Sequence, residues 1–218
     1  MSKHPHITFT NISDGKGTFD KEFQTTFPTL NKLLSKASWI DFTINSNQVY
    51  RQYVWTDKHG HTSGWLCHME HCVPRGRNII QEHALFSKNV GTIVQCWIGG
   101  HRNIDTFLTN NEHTFTLKDA VIGIGGWEEN YIAACKSEGV EPLDVKEFVT
   151  FALEANGNTT FYNSNTKEVF FFAHDGYSPI DISKVKGQPE YTIHKFDAVD
   201  TFTDYAEQLA HQWEKVIK

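Results

Sequence analysis

The sequence has no long apolar run and few cysteines. No uninterrupted apolar stretch exceeds five residues, as at 169–173, whereas a membrane-spanning helix needs roughly 20. The first residues carry a charge but lack the apolar segment of about 7–15 residues that a secretory signal contains. Four cysteines among 218 residues are too few for a disulfide framework. We therefore expect a cytoplasmic protein with reduced thiols and no membrane contact.

Positive charge is scarce in the second half of the chain. Residues 119–218 hold 17 Asp/Glu against 8 Lys/Arg, a net charge of −9, whereas residues 1–118 hold 9 against 12, a net charge of +3. Nucleic-acid binding needs a basic stripe that neutralises phosphate, so direct binding of nucleic acid is not expected. An acidic half favours either a basic partner or an ordinary solvated surface.

Hydrophobic alternation predicts mainly β-structure in the first 78 residues. A β-meander is expected from strands at 40–44, 49–55 and 62–69, preceded by a short helix at 29–36 and an edge strand at 7–10. The segment Pro-Arg-Gly-Arg at 74–77 is the candidate boundary between an amino-terminal β-rich extension, 1–78, and a second domain, 79–218. The same segment could equally be a loop within one domain.

The second part mixes helical and strand patterns. Helices are predicted at 80–87, 127–138, 144–157 and from 201 onward, and strands at 91–98, 120–124, 159–162 and 168–174. The helix at 144–157 rests on a capping box of Asp144 and Glu147 followed by apolar positions spaced three and four apart. The apolar run at 169–173 predicts a central strand that is buried on both faces.

Two motifs that could serve phosphate or metal chemistry are incomplete. Gly123-Ile-Gly-Gly126 follows a predicted strand, but position 128 is Glu where a dinucleotide loop needs Gly, and the Lys-Ser/Thr pair of a P-loop is missing. His174-Asp175 lies at the end of a predicted strand, where the following glycine favours a turn over a metal-ligand pair. No cofactor is expected.

A zinc site is the alternative suggested by the segment from Cys67 to Cys72, which also holds His68 and His71. Positions five apart on a strand point to opposite faces, and no second Cys/His pair follows at the spacing of zinc modules. We therefore expect no metal. A zinc-dependent enzyme that uses these four residues stays the less favoured alternative.

The carboxyl-terminal stretch resembles the SUKH superfamily of bacterial immunity proteins, which are related to fungal regulators of cell-wall glucan synthesis. The similar segments are a predicted helix ending in Asn-Gly at 148–157, the strand, turn and aromatic strand at 161–175, the segment at 188–195 and the closing helix at 202–213, with weaker similarity at 83–91. The resemblance covers about the last 140 residues. The first 78 residues have no counterpart in it.

The resemblance implies an α+β fold, a twisted, mainly antiparallel sheet with helices packed on it, here with an amino-terminal β-meander. It also implies binding rather than catalysis. Members of this superfamily in bacteria neutralise a cognate toxin encoded beside them, often a nuclease. We therefore expect a non-enzymatic, cytoplasmic immunity protein. The alternative within the same resemblance is an interaction module in cell-wall or signalling regulation.

A toxin that holds nucleic acid must be basic, so acidic residues of this chain are the candidate contacts. The candidate partner-binding residues lie in the acidic half and are expected on one surface: Glu128, Glu129, Asp175, Asp181, Glu190, Asp197 and Asp200.

Overall fold

The computed structural model describes residues 9–15, 17–45, 47–69, 78–100, 106–108, 114–115, 121–154, 156–176, 178 and 180–218, with the pairs 114–115 and 121–122 described by their backbone alone. This part of the chain contains five α-helices and twelve strands. It confirms the predicted α+β class with an amino-terminal β-meander. The candidate domain boundary at 74–77 lies outside the described residues.

The strands pair into one antiparallel sheet composed of two five-stranded ladders. The N-terminal ladder has the order β1-β2-β3-β4-β5 and the C-terminal ladder the order β8-β9-β10-β12-β11, with β6 between β5 and β8 and with β7 on β8. The strands are β1 Phe9–Gly15, β2 Ser38–Ile44, β3 Gln48–Thr56, β4 Thr62–His68, β5 Thr92–Trp97, β6 Thr114–Phe115, β7 Val121–Ile122, β8 Phe148–Leu153, β9 Thr159–Asn163, β10 Val169–Phe172, β11 Ile182–Lys184 and β12 Ile193–Phe196.

Helices lie on both sides of this sheet. The helices are α1 Lys21–Thr26, α2 Pro28–Leu34, α3 Gln81–Asn89, α4 Glu128–Glu138 and α5 Phe202–Val216. Helices α1, α2, α3 and α5 share one large hydrophobic cluster with the inner face of the sheet, and α4 packs in a smaller cluster on the opposite side. None of the helices in the described residues has both the length and the apolar character needed to cross a membrane.

Helix α5 connects the two ladders. It begins with a capping box in which the side chains of Thr201 and Asp204 satisfy each other's backbone N–H groups. The predicted apolar stripe of this helix is buried. Trp213 packs against Trp65 of the N-terminal ladder with ring centroids 5.2 Å apart, and Phe202 packs against Phe151 of the C-terminal ladder at 5.0 Å.

Strand β10 is buried on both faces, as its continuous apolar run predicts. Val169 and Phe171 belong to the cluster around α5. Phe170 and Phe172 belong to the cluster on the other side, with Tyr131 of α4. The alternation of side chains along a strand therefore lets one four-residue strand join both hydrophobic clusters.

The prediction of a helix at 144–157 is wrong. Asp144 does act as a cap, since its Oδ1 accepts a hydrogen bond from the N–H of Lys146 at 3.1 Å, but the helix it caps is a single 3-10 turn, Val145–Glu147. Strand β8 follows directly. Phe148 faces the cluster around α4, whereas Val149 faces the cluster around α5. A strand that is buried on both faces has apolar residues at nearly every position. Such a run also contains apolar residues three and four positions apart, which is the spacing that predicts a helix.

An ion pair lies between β2 and β3. The guanidinium of Arg51 donates two hydrogen bonds to the carboxylate of Asp41, at 2.7 and 2.8 Å, and lies 4.4 Å from the ring centroid of Trp39. Trp39 is buried in the core, so this pair is on the inner side of the sheet. The neighbouring residues Ile40 and Phe42 consequently point outward.

Replacing Phe202 by Ala should lower the free energy of unfolding by about 3–5 kcal/mol, because it removes a buried ring that contacts Phe27, His83 and Phe151. Chemical denaturation measures the change. Ile132→Ala on α4, where the side chain is 51% exposed, is the control and should change the free energy by less than about 0.5 kcal/mol. Equal effects of the two substitutions would contradict the conclusion that the buried face of α5 stabilises the fold.

Candidate functional site

The seven predicted partner-binding acids fall into two groups at opposite ends of the C-terminal ladder. Strand β12 pairs with β10 through Phe172 and Ile193, and with β11 through Ile182 and Phe196. We call the acids near the start of α5 the α5-side group, which is Asp181, Asp197 and Asp200. The acids near the start of α4 are the α4-side group, which is Glu128, Glu129, Asp175 and Glu190.

The α5-side group is held by hydrogen bonds around the end of β12. The N–H of Asp197 donates to the carbonyl of Asp181 at 3.0 Å, and the hydroxyl of Ser183 donates to Asp197 Oδ1 at 2.6 Å. The carbonyl of Asp200 accepts from the N–H of Val169 at 2.9 Å. All three acidic residues are exposed. Their backbone positions are therefore fixed while their carboxylates face solvent.

The acids of the α4-side group differ from one another in their exposure to solvent. Glu128 is half-buried, and its Oε1 accepts a hydrogen bond from the N–H of Ile124 at 2.8 Å, which fixes the glycine-containing turn before α4. Glu129, Asp175 and Glu190 are exposed. Glu128 therefore has an evident structural role in addition to its predicted role in binding.

The two groups are separated by about the length of β10 and β12. Each of these strands has four residues, which corresponds to about 13 Å at roughly 3.3 Å per residue. A small ligand could contact only one group. A protein partner could contact both, because standard protein interfaces cover about 800 Å² on each side.

Several acids elsewhere in the fold are paired with lysine or arginine. Glu168 accepts from Lys195 Nζ at 2.7 Å, and this contact lowers the pKa of Glu168. Glu82 is paired with Lys167 at 2.8 Å. No described residue forms an ion pair with these members of the two groups: Glu128, Glu129, Asp181, Glu190, Asp197 and Asp200. The exposed acids Glu138 and Glu141 likewise have none.

A polar cluster supports Asp175 at the end of β10. Asn158 is fully buried, and its side-chain oxygen faces both the backbone N–H of His174, at 3.2 Å, and Nδ1 of the same residue, at 2.8 Å. The amide nitrogen of Asn158 donates to Asp175 Oδ1 at 3.0 Å, and Asn156 donates to Asp175 Oδ2 at 2.9 Å. Both carboxylate oxygens of Asp175 are thus held in place by amides.

The indole of Trp127 covers this cluster. Its ring stacks on His174, with centroids 4.9 Å apart, and on Phe172, at 5.2 Å. Its Nε1–H donates to the carbonyl of Gly157 at 2.7 Å. Trp127, with Asn158, also lines a cleft of about 310 Å³. The arrangement is a rigid polar and aromatic surface beside an open cleft.

The sequence predicted the acids but missed this cluster. The sequence places Trp127 at the start of the helix predicted at 127–138, His174 at a strand end and Asp175 among the candidate acids, and it does not join the three. The residues that meet here are separated by up to 48 positions in the chain. The one local indication is Asn158, a polar residue next to the strand predicted at 159–162, because a buried amide must find hydrogen-bond partners.

The possible zinc ligands are only partly described. Cys67 lies in the hydrophobic core, and burial raises the pKa of its thiol. His71 and Cys72 lie outside the described residues. Elsewhere, the described part of the chain holds no group of three or more His, Cys, Asp or Glu that could bind a metal ion. Zinc prefers the thiolate form, which the environment of Cys67 disfavours.

Comparison with known proteins identifies no relative: no family model, no curated protein and no solved structure matches the chain. The resemblance to the SUKH superfamily therefore stays a prediction.

Replacing Asn158 by Ala should destabilise the fold by about 2 kcal/mol, because it leaves buried groups at the end of β10 without their hydrogen-bond partner. Denaturation by urea measures this loss. Asn165→Ala, in the exposed turn between β9 and β10, is the matched control and should be nearly neutral. A neutral Asn158→Ala variant would show that the cluster contributes no stability.

The buried thiols should resist alkylation in the native protein. Burial raises the pKa of Cys67 and raises that of Cys96 to about 12, so little thiolate is present near neutral pH. Brief treatment with iodoacetamide followed by peptide mass spectrometry should leave both residues unmodified, and unfolding in urea should make both reactive. Rapid native labelling of Cys67 would contradict its core position.

Proposed function

We propose that this protein is a cytoplasmic, non-enzymatic immunity protein that binds and neutralises a cognate toxin of basic character. The observation that carries the proposal is that hydrogen bonds fix two of the predicted acids, Asp197 at one end of the C-terminal ladder and Asp175 at the other. In the same fold, Glu168 and Glu82 are neutralised by lysines. Carboxylates that are left unpaired on a rigid framework are available to a basic partner.

The rigidity of the acidic surfaces supports binding. Asp197 is held by Ser183, and Asp175 is held by Asn156 and Asn158. A side chain that is already ordered before binding loses less conformational entropy when the partner arrives. These carboxylates are therefore pre-positioned for hydrogen bonds to arginine or lysine.

The charge distribution supports rapid association. Residues 119–218 have a net charge of −9, and a surface of one sign steers an oppositely charged protein toward it. An inhibitor must reach its toxin before the toxin reaches its substrate, so a fast association rate suits this function. The resemblance to the SUKH superfamily points to the same class of partner.

Reversing the charge of two α5-side acids, Asp181→Lys with Asp200→Lys, should slow association with the toxin about tenfold or more at low ionic strength. The partner is sought by co-expressing the chain with the product of each neighbouring gene and scoring the rescue of growth. Association is then measured by stopped-flow fluorescence at increasing salt, and the difference between variant and wild type should shrink as screening increases.

The matched control is Glu138→Lys with Glu141→Lys, because these residues are also exposed acids of the same half and the double change alters the net charge equally. This control should retain most of the wild-type rate. If both double variants slow association equally, net charge alone is responsible and the α5-side group is not a contact surface. If no neighbouring gene product is neutralised, the immunity function is wrong.

A further inference from the structure

The connection between β11 and β12 holds a bulky residue in a backbone conformation that suits it poorly. Tyr191 has a φ of 61°, in the left-handed region, where turns usually place glycine or asparagine. Four described non-glycine residues have a positive φ, and two of them are asparagine, which tolerates it well. Tyr191 is the one aromatic residue among them. Local backbone preference therefore does not explain a tyrosine at this position.

Burial of the ring does not explain it either. Tyr191 is 55% exposed and belongs to neither hydrophobic cluster. The edge of its ring lies beside Gly176, so close that a Cβ added to this glycine would be 3.5 Å from Cε1 of the tyrosine. The ring thus rests against the backbone on one side and faces solvent elsewhere.

The residues around Tyr191 fix its position. Pro189 and Thr192 are buried, and the hydroxyl of Thr192 donates to the carbonyl of Pro189 at 2.6 Å. The carbonyl of Thr192 accepts from the N–H of Ala173, directly after β10, at 3.0 Å. Glu190 and Tyr191 are exposed between the two buried positions. The turn is therefore a fixed support that presents two side chains to solvent.

The surroundings of the ring are acidic. Glu190 precedes Tyr191 in the chain, and Gly176, beside which the ring lies, follows Asp175. Both acids belong to the α4-side group. An aromatic face attracts cations, and nearby carboxylates add to this attraction. Among cationic side chains, arginine both stacks on aromatic rings and forms paired hydrogen bonds with carboxylates.

We infer that Tyr191 is a contact residue for the partner, and that an arginine side chain of the basic toxin stacks on its exposed ring. This inference rests on the proposed immunity function and names one residue of the α4-side surface that determines affinity. Residues that dominate binding energy are enriched in tyrosine and arginine, and they tend to pair across an interface. Strained backbone conformations cluster at sites that contact ligands, which accounts for the conformation of Tyr191.

Tyr191→Asn should raise the melting temperature by about 2–4 °C, because asparagine adopts the left-handed conformation more readily than tyrosine does. Differential scanning calorimetry of the protein alone measures the shift. Tyr162→Asn, which removes a fully buried ring, is the comparison and should lower the melting temperature. If Tyr191→Asn melts below the wild type, the fold itself requires the ring and the inference is wrong.

Tyr191→Asn should also weaken binding to the neutralised gene product by about tenfold or more. The product is the one identified by rescue of growth, and isothermal titration calorimetry measures its affinity. Tyr191→Phe keeps the ring and should retain most of the affinity. Phe9→Ala removes a ring that is equally exposed, at 55%, on the N-terminal ladder, and it should bind like the wild type.

Double-mutant cycles test the predicted arginine. Each exposed arginine of the gene product is replaced by Ala and combined with Tyr191→Asn, and one of them should show coupling. Coupling to none of them would overturn the inference.

The results also separate this inference from the immunity function. If the wild type neutralises a neighbouring gene product and the folded Tyr191→Asn variant binds it equally well, the inference is wrong and the immunity function stands. If Phe9→Ala weakens binding as much as Tyr191→Asn does, the position of the ring is irrelevant and the inference is wrong. If no gene product is neutralised, the immunity function is wrong and the inference falls with it.

Discussion

The packing of helix α5 against both ladders is the contact on which the rest of the fold depends. Trp213 packs against Trp65 at one end of the helix and Phe202 against Phe151 at the other. Within the described strands, the two ladders are linked through β6, which has only two residues, and helix α3 adds contacts to Tyr53 on one side and Tyr162 on the other. Burial of aromatic rings along one helix therefore fixes the C-terminal ladder, with its acidic groups, relative to the N-terminal ladder.

Local patterns in the sequence predicted helix α5, which buries one face, and strand β10, which is buried on both faces. The stripe of α5 and the apolar run of β10 are confirmed, as is the meander. The predicted helix at 144–157 is wrong because Phe148 and Val149 are buried on opposite faces of one strand. Apolar spacing alone cannot distinguish such a strand from a short helix.

The candidate site was likewise predicted only in part. Counting the charged residues along the sequence identified the acids, because this needs no knowledge of the fold. The support of Asp175 by Asn158, and the stacking of Trp127 on His174, join residues that are distant in the chain. Such contacts depend on the sheet topology, which a single sequence does not show. The separation of the acids into two groups follows from the register of β10, β11 and β12 for the same reason.

The Asp41–Arg51 pair also constrains how the first hairpin assembles. A one-residue slip between strands exchanges the two faces of a sheet. Here such a slip would turn Ile40 and Phe42 inward, and it would turn Trp39, which is buried in the core, outward. It would also separate a carboxylate from the guanidinium that binds it through two hydrogen bonds. The ion pair, together with the buried Trp39, thus selects the native register of this hairpin over the register with exchanged faces.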